Sequence, residues 1–89
     1  MIQQENWQLN GKWAVVTGGT KGIGKAIVEA LSSFGAQVIS ISRSLPEGEE
    51  KITGVEYLKA DLSSPEGTTS AVRQIRTLSP KLDILVNNV

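Results

Sequence analysis

The sequence predicts an α/β fold, a parallel sheet of four strands with helices on both faces. Three observations carry this. Short apolar runs rich in β-branched residues recur along the chain, as in Trp13–Thr17 and Gln37–Ser42, and such runs read as buried strands. A segment of helical periodicity follows the first run, and a second precedes the last. Strands alternating with helices in this way build parallel sheets through right-handed crossovers.

Residues 13–17 form the first strand, bounded by Gly11-Lys12 and Gly18-Gly19 and apolar enough to be buried on both faces. From Gly22 onward, Ile23, Ala26, Ile27, Ala30, Leu31 and Phe34 fall on one helical stripe. Lys25 and Glu29 pair on the polar side at i, i+4 spacing, and Gly35 supplies the stop. Residues 37–42, built around Val38, Ile39 and Ile41, make the second strand. Residues 43–54 are polar and include Pro46, Gly48 and Glu49-Glu50-Lys51, a loop holding at most one helical turn. A parallel crossover needs about a dozen residues, so the helix usual at this point is short or missing. Residues 55–60 read as the third strand. Ser63-Ser64-Pro65-Glu66 then starts a helix, with a capping hydroxyl, an early Pro and Glu66 placed to complete a capping box. Ala71, Val72, Ile75 and Leu78 give this helix its buried face, and Pro80 follows its end. Residues 82–86 are the fourth strand. The predicted arrangement is the first half of a doubly wound, Rossmann-type sheet in the order 3-2-1-4. Residues 1–10 form an N-terminal arm, and 11–89 a partial domain of this type, truncated after its fourth strand.

Composition narrows the chemistry. Nine Lys+Arg balance nine Asp+Glu across 89 residues, so no basic footprint argues for nucleic acid or an anionic membrane. The absence of Cys and His removes disulfides, thiolate chemistry, His-based triads and the common zinc sets. At 39% hydrophobic the chain is more apolar than a disordered one. Its first residues have neither a basic start nor an apolar run of leader length, which predicts a cytoplasmic protein.

The informative segment joins the first strand to the first helix: Thr17-Gly18-Gly19-Thr20-Lys21-Gly22-Ile23-Gly24. Glycines there permit a tight turn, close approach of backbone to a pyrophosphate, and close packing of helix on sheet. The free N–H groups at the helix start, with the positive end of its dipole, suit phosphate. A turn with no ligand is the plain alternative. A P-loop is another, since Gly19 to Lys25 fits its first seven positions, but Ala26 stands where the Mg²⁺-binding hydroxyl belongs.

Thr17-Gly18-x-x-x-Gly22-x-Gly24, Asp61-Leu62 and Asp83-Ile84-Leu85-Val86-Asn87-Asn88-Val89 together resemble the short-chain dehydrogenase/reductase family. Trp7-x-Leu9-x-Gly11-Lys12 and Ser42-Arg43 look most like its tropinone-reductase-like branch. The resemblance implies that Gly18, Gly22 and Gly24 line the pyrophosphate, with Thr20 and Lys21 in the same loop and Ile23 beside the nicotinamide. It also implies that Asp61 and Leu62 flank the adenine, that Asn87 closes the pocket, and that Asn88 stabilises the sheet. Asp61 read without the family is equally a helix cap, and Asn87 and Asn88 are turn residues. The family's Tyr-x-x-x-Lys pair and preceding Ser have no counterpart, because Tyr57, the one tyrosine, has Asp61 four residues on. No catalytic residue and no metal ligand is therefore assigned.

The end of the second strand is where the adenosine ribose is read. A carboxylate there would favour NAD. Ser42, Arg43 and Ser44 stand there instead, and a guanidinium fork suits the 2′-phosphate of NADP. The expectation is the cofactor-binding portion of an NADP(H)-dependent oxidoreductase acting on a small carbonyl or alcohol. A catalytically silent nucleotide-binding remnant or interaction module is the alternative. By itself the chain leaves the edge strand at Ile84, Leu85 and Val86 open, which predicts self-association.

Overall fold

The computed structural model describes residues 8–46 and 51–88. Its elements are β1 (Trp13–Thr17), α1 (Gly22–Ser33), β2 (Gln37–Ser42), β3 (Val55–Lys59), α2 (Pro65–Leu78) and β4 (Ile84–Asn87). All paired strands are parallel, and their order is β3-β2-β1-β4 as the sequence predicts. No helix among the described residues is long and apolar enough to cross a membrane.

Successive strand residues point to opposite faces, so β1 and β2 feed two apolar layers. Val16 and Val38 pack under α1 with Val28, Ala36, Ile27 and Leu31. Val15, Ile39 and Ile41 pack under α2 with Ala71, Ile75 and Leu78. Each fully buried Val or Ile contributes about 1.5–3 kcal/mol, so the central strands hold most of the stability. Leu9 joins the α1 layer, and its N–H donates to the Phe34 carbonyl at 2.6 Å. At the base of the sheet, Asp83 closes the β1–β4 ladder. Its N–H donates to the Trp13 carbonyl at 3.0 Å, its Oδ2 accepts from the Trp13 N–H at 2.9 Å, and Lys81 Nζ lies 3.8 Å away.

Both helices differ from the faces expected of them. In α1, Gly24 and Val28 are buried, while Ile23 is 76% exposed and Ala26 and Ala30 face outward. The stripe is rotated because Gly24 sets the contact: a β-carbon there would lie 2.1 Å from the Gly18 carbonyl oxygen. Glycine carries no apolar weight in a periodicity count, yet it makes the closest approach. In α2, Val72 is 49% exposed, since Ala71, Ile75 and Leu78 already form the inward stripe. The expected capping box also fails. Ser64 is the cap, Pro65 opens the helix, and Ser64 Oγ accepts from the Gly67 N–H at 2.9 Å. Glu66 therefore sits one position too early to reach back.

No helix is present in residues 43–46 or 51–54, and the intervening 47–50, with Gly48, Glu49 and Glu50, lie outside the described residues. Half-buried Ile52 packs against the α1 layer, and Pro46 at the other end of the loop is buried. Tyr57, a strand residue, pins the loop: its hydroxyl accepts from the Ile52 N–H at 2.9 Å.

Candidate functional site

The carboxyl ends of the four strands open onto a cavity of about 620 Å³. In doubly wound sheets the ligand sits at this end, beside the point where strand order reverses, here between β1 and β4. Thr17 and Gly18 reach the cavity from β1, Ile41 to Arg43 from β2, Ala60 to Ser63 from β3, and Asn87 and Asn88 from β4.

Six residues singled out from the sequence thus share one wall: Gly18, Ser42, Arg43, Asp61, Leu62 and Asn87. Thr20, Lys21, Gly22, Ile23 and Gly24 are not part of that wall and occupy the adjoining loop and the first turn of α1. Ser44 also stays outside; its carbonyl accepts from the Ser42 hydroxyl at 2.6 Å and turns the chain beyond Arg43. Thr17, Ile41, Ala60 and Ser63 are wall residues that sequence reasoning missed. A hydroxyl on the last residue of a buried strand was the signal for Thr17; Ile41 and Ala60 carried none.

The glycine loop is held from both sides. Gly18 has φ +68° and donates its N–H to the Ile41 carbonyl at 2.8 Å. Asn88 Nδ2 donates to the Gly18 carbonyl at 3.2 Å, and the Asn88 N–H donates to Thr17 Oγ1 at 2.9 Å. The Thr17 hydroxyl in turn faces Asn87 Oδ1 at 3.2 Å and the Val86 carbonyl at 3.4 Å. Asn88 thereby joins β1 to β4 and lines the cavity as well. Among the described residues, the N–H groups of Gly22, Ile23 and Gly24, at the start of α1, have no backbone partner outside the helix. Lys21, exposed at the N-cap of α1, supplies no side-chain cap. Free donors at a helix start can accept an anion.

Asp61 shapes the β3 side of the cavity. Its Oδ1 accepts from the Ser63 hydroxyl at 2.5 Å and from the Ser63 N–H at 3.0 Å. The carboxylate thus holds the turn ahead of α2, while Ser64 caps the helix itself. These two bonds, with a smaller contribution from the Arg43 charge, hold its pKa below the ordinary value of 3.8 against a weak opposing effect of burial. A depressed native pKa means that the carboxylate's contribution is complete above pH 3.8 and is lost as pH falls through the lower native value. In an NMR titration, Asp61 is expected to titrate below a typical Asp, and Ser63→Ala to move it upward. An unshifted Asp61 would contradict the geometry.

Residues 12–89 match the sequence pattern of the short chain dehydrogenase family. A tropinone reductase homolog of Datura stramonium is 41% identical over 90 residues, spanning 92% of this chain and 34% of its own. Among solved structures, the Pseudomonas aeruginosa RhlG/NADP active-site complex is 36% identical, with a TM-score of 0.77 over 91% of this chain and 35% of its own. A Leptospira borgpetersenii short chain dehydrogenase with bound NAD+ shares the fold at 24% identity, with a TM-score of 0.79 over 98% of this chain and 34% of its own. The chain spans about a third of the length of the curated relatives it matches. The glycine loop, the strand order and the cavity at the switch point are therefore those of a chain that belongs to the short chain dehydrogenase family.

Proposed function

We propose that this chain is the cofactor-binding portion of an NADP(H)-dependent oxidoreductase that moves hydride between the nicotinamide and a small carbonyl or alcohol. The observation that carries the reading is a cationic, carboxylate-free end of β2 on the cavity wall, with the free N–H groups of the helix start in the adjoining loop. The donors fit a pyrophosphate, and the space over Gly22 is open, with nothing within 4 Å of a β-carbon placed there. Gly18 to Gly24 hold the phosphates, Leu62 and Asp61 flank the adenine, and Asn87 closes the pocket. Arg43, with Ser42, Ser44 and Lys21, reads the 2′-phosphate. The bound cofactor supplies the hydride chemistry. The Tyr and Lys that would handle the proton belong to a part of the protein outside these residues. The NADP named for the Pseudomonas complex supports this choice of cofactor.

A second reading, a silent nucleotide-binding or interaction module, draws on Leu85 of the edge strand β4, which is 63% exposed, and on exposed Val72 and Leu82. Such apolar surface also favours self-association of the 89-residue chain taken alone.

Calorimetric titration of the protein carrying these residues with NADP+ and NAD+, followed by an assay of NADPH oxidation with carbonyl acceptors, tests both readings. NADP+ is expected to bind more tightly, and turnover to follow. Binding without turnover supports the silent module, and no binding of either cofactor rejects the proposal.

A further inference from the structure

Ser40 lies in the middle of β2, 1% exposed, on the strand face that carries Val38 toward α1. Its hydroxyl has no hydrogen-bond partner, although the great majority of buried polar atoms have one. The group directly above it is Gly19. A β-carbon on Gly19 would fall 2.4 Å from Ser40 Oγ and 2.8 Å from Val28 Cγ2, so the hydroxyl touches the floor of the glycine loop.

Peptide geometry gives this hydroxyl a task. In a planar trans peptide the N–H and the preceding C=O point in opposite directions. A loop peptide that aims its N–H outward at a phosphate must aim its carbonyl inward, toward β2. The Gly18 carbonyl already accepts from Asn88 Nδ2 at 3.2 Å. The next carbonyl, that of Gly19, accepts no such bond among the described residues, and Gly19 itself packs against the Ser40 hydroxyl.

We infer that Ser40 is a positioning residue of the glycine loop, whose hydroxyl donates to the Gly19 carbonyl when the Thr20 N–H turns to a dinucleotide phosphate. The inference rests on the dinucleotide reading above. It makes Ser40 a buried donor beneath the loop that gains its acceptor when the Gly19–Thr20 peptide turns. Removing the hydroxyl then acts with opposite signs on stability and on binding, which a merely structural serine would not do.

The test is melting and NADP+ titration of the protein carrying these residues, of Ser40→Ala and of Ser40→Thr. Ser40→Ala is expected to raise the Tm of the ligand-free protein by about 2–4 °C, because an uncompensated polar group is gone. Its Kd for NADP+ is expected to weaken about two- to tenfold, the value of one neutral hydrogen bond. Ser40→Thr, which keeps the hydroxyl, should retain the affinity of the unsubstituted protein. Unchanged affinity in Ser40→Ala, with normal binding by the unsubstituted protein, overturns this assignment alone. A Ser40→Ala variant that loses stability and affinity together overturns it too. Failure of the unsubstituted protein to bind NADP+ overturns it along with the cofactor reading.

Discussion

Gly24→Ala is expected to abolish tight dinucleotide binding and to destabilise the fold by about 1–3 kcal/mol or more, the usual range for overpacking a close contact. The added methyl would lie 2.1 Å from the Gly18 carbonyl oxygen, 2.9 Å from the Gly18 carbonyl carbon and 2.5 Å from Asn88 Nδ2. None of these atoms is the free end of a flexible side chain. Two are backbone at the end of β1, and the third is an amide bonded to that backbone. Relief therefore requires α1 to move away from the sheet, which spreads the run of N–H donors and opens the α1 layer at Val28. Gly22→Ala is the control for packing and stability alone, since Gly22 also belongs to the phosphate loop. Nothing lies within 4 Å of a β-carbon there, and the cost is the backbone at φ +58°, about 1–2 kcal/mol for an L-residue. Urea unfolding and NADP+ titration of both variants measure the difference. If Gly24→Ala keeps the stability and affinity of the unsubstituted protein, the close helix–strand contact does not hold the site together.

The same glycine shows where sequence reading runs out. Strand order and loop position were legible because apolar runs and a glycine cluster are local patterns. The rotation of α1 was not, because it depends on which residue comes closest to β1, and glycine leaves no mark in a hydrophobic stripe. The bonds linking Thr17 with Asn88 join positions 71 residues apart. Nothing in either neighbourhood announces the partner. Glu66 misled for a related reason: a capping box needs an exact offset, and Ser63 and Ser64 offer two starting points. The structure uses Ser64 as the cap and gives Ser63 to Asp61. Asp61 accordingly is not the cap of α2; it holds the turn ahead of it and lines the cavity. Ser40 read as one more strand residue, since burial of its hydroxyl shows only after β2 is placed beneath the loop.

Arg43→Ala is expected to weaken NADP+ binding by about 10- to 150-fold and to leave NAD+ binding nearly unchanged. A hydrogen bond to a charged group is worth about 1.5–3 kcal/mol, which converts to that range of affinity. The structure puts Arg43 on the cavity wall, exposed, beyond a strand end that carries Ser42 in place of a carboxylate. Its charge is the smallest of the influences on the Asp61 pKa, behind the two Ser63 hydrogen bonds, and acts downward. Arg43→Ala should therefore also shift the Asp61 titration upward, a check of the geometry that needs no cofactor. Arg43→Lys keeps the charge but loses the planar fork, so it should fall between the other two proteins in discrimination. Lys21, exposed in the loop with no carboxylate bonded to it among the described residues, adds a second cation, and Lys21→Ala should cost less. Added salt provides a further separation. Screening of an exposed ion pair weakens the 2′-phosphate contact, so the preference for NADP+ should narrow as ionic strength rises. Equal affinities for NADP+ and NAD+ in the unsubstituted protein, or full discrimination in Arg43→Ala, would remove Arg43 from the phosphate site and leave the β2 end without a reader.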